Sequence, residues 1–154
     1  MISRRDFVAQ AAGLAIGSVG AARLLARTTP GTAITVYKSA SCGCCGKWVD
    51  YVRANGFAPT VHDQENMDQI KDDMGVPKAV RSCHTAVVGK YIIEGHVPVD
   101  DIRRLLKEHP AVAGLAAPGM PASSPGMAMP GQTPEPYDVL SFTTAGKTAV
   151  FARH

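Results

Sequence analysis

Three features of the 154-residue sequence predict an α/β fold, with a mixed central sheet, helices on its faces in three layers, a C-terminal Met/Pro/Gly-rich loop and a short β-hairpin. Segments of β-branched alternation take turns with segments of helical period, in the order β-α-β-α-β-β-α. Hydrophobic residues make up 45% and charged residues 19%, which suits one small folded unit with extensions. After residue 30 no apolar run reaches the roughly 18 residues of a membrane span.

The elements follow from local patterns. "AITVYKSA" (33 to 40) alternates like a strand. "CGKWVDYVRANGF" spreads Trp48, Val49, Tyr51 and Val52 over one broad helical face, and Asn55-Gly56 supplies its stop signal. "APTVHD" (58 to 63) is a second strand, and "ENMDQIKDDMG" repeats Met67, Ile70 and Met74 at helical spacing before Gly75, so these residues are expected to fill the core. "TAVVGKYIIEG" (85 to 95) folds as two strands around a Gly89-Lys90 turn. A helix opening near Pro98 to Asp100 buries Ile102, Leu105 and Leu106. This is the thioredoxin-like order, and it is expected to occupy residues 33 to 110.

Residues 111 to 136 read as a loop dense in Pro, Gly, Ala and Ser, carrying Met120, Met127 and Met129 without helical period. Residues 137 to 154 read as a tail hairpin around Thr144 to Lys147.

The first 26 residues, "MISRRDFVAQAAGLAIGSVGAARLLA", place an arginine pair before a weakly hydrophobic run with small residues near its end. The pattern resembles a twin-arginine export signal and predicts a periplasmic protein. A membrane-anchoring N-terminal helix is the alternative, and would give membrane contact only through an uncleaved signal. The formal charge is +3; without Arg4, Arg5, Arg23 and Asp6 there are 13 basic against 12 acidic residues. Such a chain, with no basic block, lacks the electrostatic footprint of a nucleic-acid binder.

The chemistry concentrates in "SASCGCCGKW" (39 to 48), where Cys42 and Cys45 form a C-x-x-C pair with Cys44 between them. In the thioredoxin-like arrangement the loop after the first strand lies beside the segment entering the third, here "RSCHTAVV". Cys83 is therefore expected beside Cys42, Cys44 and Cys45. Thiolates are both nucleophiles and metal ligands, and a helix N-terminus favours them, so position alone does not choose between redox and metal chemistry.

Other features favour metal. A disulfide exchanger needs one attacking and one resolving thiol, and Cys44 would compete with both. Cys83 stands where that architecture ordinarily has a shielding cis-proline. Soft thiolate and thioether donors select Cu(I), and the methionine-bearing loop adds thioethers. Three alternatives stay open: a thiol-disulfide oxidoreductase using Cys42 and Cys45, a structural Cys₄ zinc module, and two structural disulfides. Adjacent Cys44 and Cys45 suit several bridged Cu(I) ions better than one tetrahedral zinc. His84 and His96 are secondary ligand candidates, while His62, His109 and His154 read as surface residues. No Ser/His/Asp set, paired-carboxylate site or Gly-rich phosphate loop stands out.

The motifs "KSASCGCCGKWVDYVRANGF", "GVPKAVRSCHTAVVGKYIIEGHVPVDDIRRLL" and "GLAAPGMPASSPGM" together resemble the CopG-type periplasmic copper-resistance and metal-binding proteins, a domain formerly of unknown function. The resemblance covers about residues 33 to 127. It implies a thioredoxin-like domain holding one or more Cu(I) ions through Cys42, Cys44, Cys45 and Cys83, with a role in copper tolerance outside the cytoplasm. The overall expectation is a non-enzymatic copper-binding protein. His84, Met120 and Met127 are further ligand candidates, and copper ions and other periplasmic copper-handling proteins are the expected partners.

Overall fold

The computed structural model describes residues 31 to 154, so the expected export signal lies outside the described residues. The elements run β1 (Thr32–Lys38), α1 (Gly43–Ala54), β2 (Phe57–Asp63), α2 (Met67–Asp73), a 3-10 turn (Lys78–Val80), β3 (Thr85–Val88), β4 (Tyr91–Glu94), α3 (Val99–Glu108), β5 (Gly114–Ala116), β6 (Asp138–Phe142) and β7 (Thr148–Arg153). The strands form one mixed sheet in the order β2-β1-β3-β4-β5-β6-β7. β1 runs parallel to β2 and β4 parallel to β5, while the remaining neighbours are antiparallel.

Side chains on successive strand residues point to opposite faces, and β4 shows what that does. Tyr91 and Ile93 enter the larger core, which α1 and α3 supply with Trp48, Val49, Val52, Val99, Ile102 and Leu105. Ile92, between them, packs on the smaller cluster of Val76, Val80, Ala116 and Phe142 on the other face. Helices and turn thereby cover both sides of the sheet.

The helix ends match their sequence signals. Asn55 closes α1, and Gly56 follows in a left-handed conformation (φ 86°) that costs a glycine little. The Asn66 side chain accepts the Gln69 N–H at the start of α2. Asp100 and Asp101 occupy the first turn of α3, where the helix dipole favours negative charge.

Two expectations need correction. Residues 114 to 116, read from sequence as loop, form β5 and pair with β4 through Ile92↔Gly114 and Glu94↔Ala116. Through β5 the tail hairpin becomes part of the main sheet. Met67 and Ile70 are half-buried and belong to neither core cluster, Met74 is half-buried but packs on the smaller cluster, and the one buried residue of α2 is Lys71. The tail's end is also engaged: His154 Nε2 lies 2.7 Å from Asp101 Oδ2, and its ring stacks on Tyr137.

Gly114 is required by close approach, because a Cβ there would overlap the Ile92 carbonyl. Gly114→Ala should therefore separate β4 from β5 and lower stability by about 1–3 kcal/mol, read as the urea midpoint of the purified protein. An unchanged midpoint would contradict the pairing.

Candidate metal centre

β1 ends at Lys38, and the chain turns so that the Cys42 N–H donates to the Ser39 carbonyl at 3.0 Å. Cys42 then takes the N-cap position of α1 without a side-chain cap bond. Cys44 and Cys45 follow in the first turn, half-buried and fully buried respectively. Cys42 and Cys45 are joined as a disulfide, with their Cα atoms 5.3 Å apart. Cys44 and Cys83 are free thiols, and Cys44 Sγ lies 3.5 Å from Cys42 Sγ.

Cys83 arrives from the segment between the 3-10 turn and β3, as the β-α-β-α-β-β-α order requires. The four sulfurs all lie within 4.8 Å of one another. The convergence expected from the sequence is thus present.

A second group shares the same sulfur. Cys83 Sγ is 3.3 Å from His84 Nδ1 and 3.1 Å from His96 Nε2, and the three donor atoms again lie within 4.8 Å of one another. Both imidazoles are buried, which disfavours their charged forms and lowers both pKa values, His84 well below 6.5. His96 Nδ1 lies 2.8 Å from the Pro125 carbonyl, which can only accept. The proton therefore sits on Nδ1, and the Nε2 lone pair faces Cys83. His84 packs its ring 4.4 Å from that of Trp48, and its Nε2 is buried without a partner. Neutral rings of this kind can donate to a metal without first losing a proton.

Cys83 itself is pushed up to about 12 by burial and by the neighbouring Cys44 thiol. A thiol held that high stays protonated at neutral pH, so a cation binding there would have to displace the proton.

The methionine-bearing loop lies against the cysteines. Gly126 sits so close to the first turns of α1 that a Cβ there would be 2.9 Å from the Trp48 nitrogen and 3.3 Å from the Cys44 carbonyl oxygen. Met127, next in the chain, is half-buried, whereas Met120 and Met129 are exposed. His62 and His109 are exposed, as expected for surface residues.

Two solved structures of copper resistance protein copG, forms 1 and 2, match most of this chain. Form 1 is 42% identical, covering 82% of this chain and 98% of its own, with a TM-score of 0.75. Form 2 is 41% identical, covering 80% and 98%, with a TM-score of 0.74. The chain belongs to the CopG copper-resistance family. A family model described as a protein of unknown function, DUF411, matches residues 80–127, and no curated protein matches. The matched span of this CopG-family chain holds Cys83, His84, His96, Met120 and Met127, but not the C-x-C-C run.

As a lone loop histidine His96 is a secondary candidate from sequence, and the Pro125 carbonyl that sets its tautomer lies 29 residues away. Lys71 and Glu94, buried behind the site, went unnoticed. The available signal was a lysine on the same helical face as Met67, Ile70 and Met74.

The two buried histidines give the metal-free chain a pH signature. Below pH 6.5 the unfolded chain binds protons that the folded chain refuses, so stability is full above that value and declines as the pH falls. In urea titrations from pH 8 to 5, His84→Phe should show a shallower decline than the parent chain. Parallel curves would mean that His84 titrates normally when folded.

Proposed function

We propose that this chain is a periplasmic copper-binding protein whose reduced form holds Cu(I) through Cys42, Cys44, Cys45 and Cys83 and so contributes to copper tolerance. The observation that carries the reading is the convergence of four sulfurs, within 4.8 Å of one another, from two separate segments. Thiolates are soft donors suited to Cu(I), and the two copper-resistance structures make copper the natural cation. The close sulfurs suit bridging, in which one thiolate serves two ions, and more than one Cu(I) is held per chain. His84 and His96, meeting at Cys83, supply nitrogen donors at the same rim. Met127 and Met120 add thioethers from the loop. Copper here is cargo, and other copper-handling proteins of the same compartment are its givers and receivers.

The Cys42–Cys45 disulfide sets the condition for uptake. In the oxidised chain two donors are tied to each other, and only Cys44 and Cys83 remain as thiols. Reduction returns all four.

That same disulfide favours the rival reading, a thiol-disulfide oxidoreductase. Against it stands Cys44, whose sulfur is 3.5 Å from Cys42 Sγ and would intercept any mixed disulfide formed there. The zinc-module reading requires the metal for folding, whereas the main core here is built from Trp48, Val52, Ile93, Ile102 and Leu105 without any cysteine.

An anaerobic Cu(I) titration of the reduced protein against a competing chelator decides among these. More than one tightly held Cu(I) per chain is expected, falling in Cys44→Ser and Cys83→Ser and nearly lost while the disulfide is intact. Weak uptake together with a rapidly cycling Cys42–Cys45 pair would replace the copper reading with the oxidoreductase. Chelator treatment should leave a cooperative thermal transition, and its loss would favour structural zinc.

A further inference from the structure

Behind the sulfur-nitrogen rim lies a charged network with no counterpart elsewhere in the described core. Glu94 is fully buried, and Lys71 is 3% exposed. Glu94 Oε1 accepts the Lys71 ammonium at 2.5 Å and the Ser82 backbone N–H at 2.6 Å. Its Oε2 accepts the Thr85 hydroxyl at 2.7 Å, and Lys71 Nζ also donates to Thr85 Oγ1 at 2.8 Å. One carboxylate thus grips Ser82 and Thr85, the residues on either side of Cys83 and His84.

The strand that carries Glu94 also leads to His96. Gly95, between them, donates its N–H to the His84 carbonyl at 2.9 Å, and a Cβ on Gly95 would overlap the Ser82 side chain. Cys83, His84 and His96 are therefore held from behind by a single frame, whose anchor to α2 is the Lys71–Glu94 pair.

Stability alone does not account for this arrangement. Withdrawing two charges from water costs as much as their attraction returns, and an apolar pair of similar volume serves a core at least as well. A pair of opposite charges has another property. It fixes directions through several hydrogen bonds at once, here to Ser82 and Thr85.

Resting on the copper reading above, we propose that Lys71 and Glu94 are positioning residues for copper, setting the separation of Cys83 Sγ from the two imidazole nitrogens. They touch no donor atom and act through the Ser82 N–H and the Thr85 hydroxyl. The ligand geometry is made before the metal arrives, so that less ordering remains to be done on binding.

The test uses the full chain with two paired substitutions. Lys71→Leu with Glu94→Leu removes the network and leaves no orphaned charge, while Lys71→Met with Glu94→Gln keeps an acceptor for the Ser82 N–H. Each is titrated anaerobically with Cu(I) against a chelator, and the copper–sulfur absorption is recorded alongside. Amide hydrogen exchange over residues 82 to 84 is measured without metal.

The leucine pair should bind Cu(I) at least tenfold more weakly, with a shifted absorption band and faster exchange in that segment. The methionine-glutamine pair should recover most of the affinity and the parent band. A folded leucine pair with parental affinity, band and exchange would overturn the proposal while leaving the copper reading intact. If the leucine pair does not fold, Thr85→Val carries the comparison, and parental affinity and band in that variant would overturn it. A parent chain that takes up no copper overturns the copper reading itself, and this one with it.

Discussion

The burial of Trp48 is the constraint on which the rest of the molecule depends. Its indole N–H donates to the Val97 carbonyl at 3.0 Å, which ties α1 to the segment between β4 and α3. Its ring packs against His84, and its backbone nitrogen lies beneath Gly126 of the methionine-bearing loop. One fully buried side chain thus holds together the helix that begins with the cysteines, the histidine next to Cys83 and the loop above them. The large apolar area of an indole drives the packing, and its single polar atom fixes the orientation.

Three of the donors share one property: Cys83, His84 and His96 are kept uncharged in the metal-free chain. Burial lowers both imidazoles, with the His96, Lys71 and Lys38 charges adding to the effect at His84, and burial raises the Cys83 thiol. A soft monovalent cation entering such a place would meet polarizable sulfur and nitrogen donors, conditions that favour thiolate-preferring ions over hard divalent ones. Proton loss from sulfur provides the compensating charge on arrival. On the proposed copper reading, selection would rest on softness and on the redox state of the thiols more than on electrostatic attraction.

Much of the architecture was legible in the sequence, because periodicity reports burial directly. Ile34 and Val36 alternate inward in β1, Trp48, Val49 and Val52 share the buried face of α1, and Gly89-Lys90 joins β3 to β4. The convergence of Cys83 on the C-x-C-C run followed from element order alone. What escaped depended on tertiary contact. β5 is three residues long, too short to show alternation, and its Gly114 is present for the approach of Ile92. Nothing local marks Lys71 as buried, since its partner Glu94 lies 23 residues away. Met67 and Ile70 stay outside both core clusters for a related reason: α2 is tied to the core by the Lys71–Glu94 pair and by Met74 at its C-terminal end.

Cys83 belongs to two donor groups at once, the four sulfurs on one side and the pair of imidazoles on the other. A shared vertex makes the two groups thermodynamically inseparable. Whatever occupancy of the sulfur group does to the affinity of the imidazole side, occupancy of the imidazole side does to the sulfur group by the same factor. Two cations meeting at that sulfur would feel each other through one thiolate, and on the proposed copper reading the response to rising metal concentration would then follow a coupling constant as well as two separate affinities.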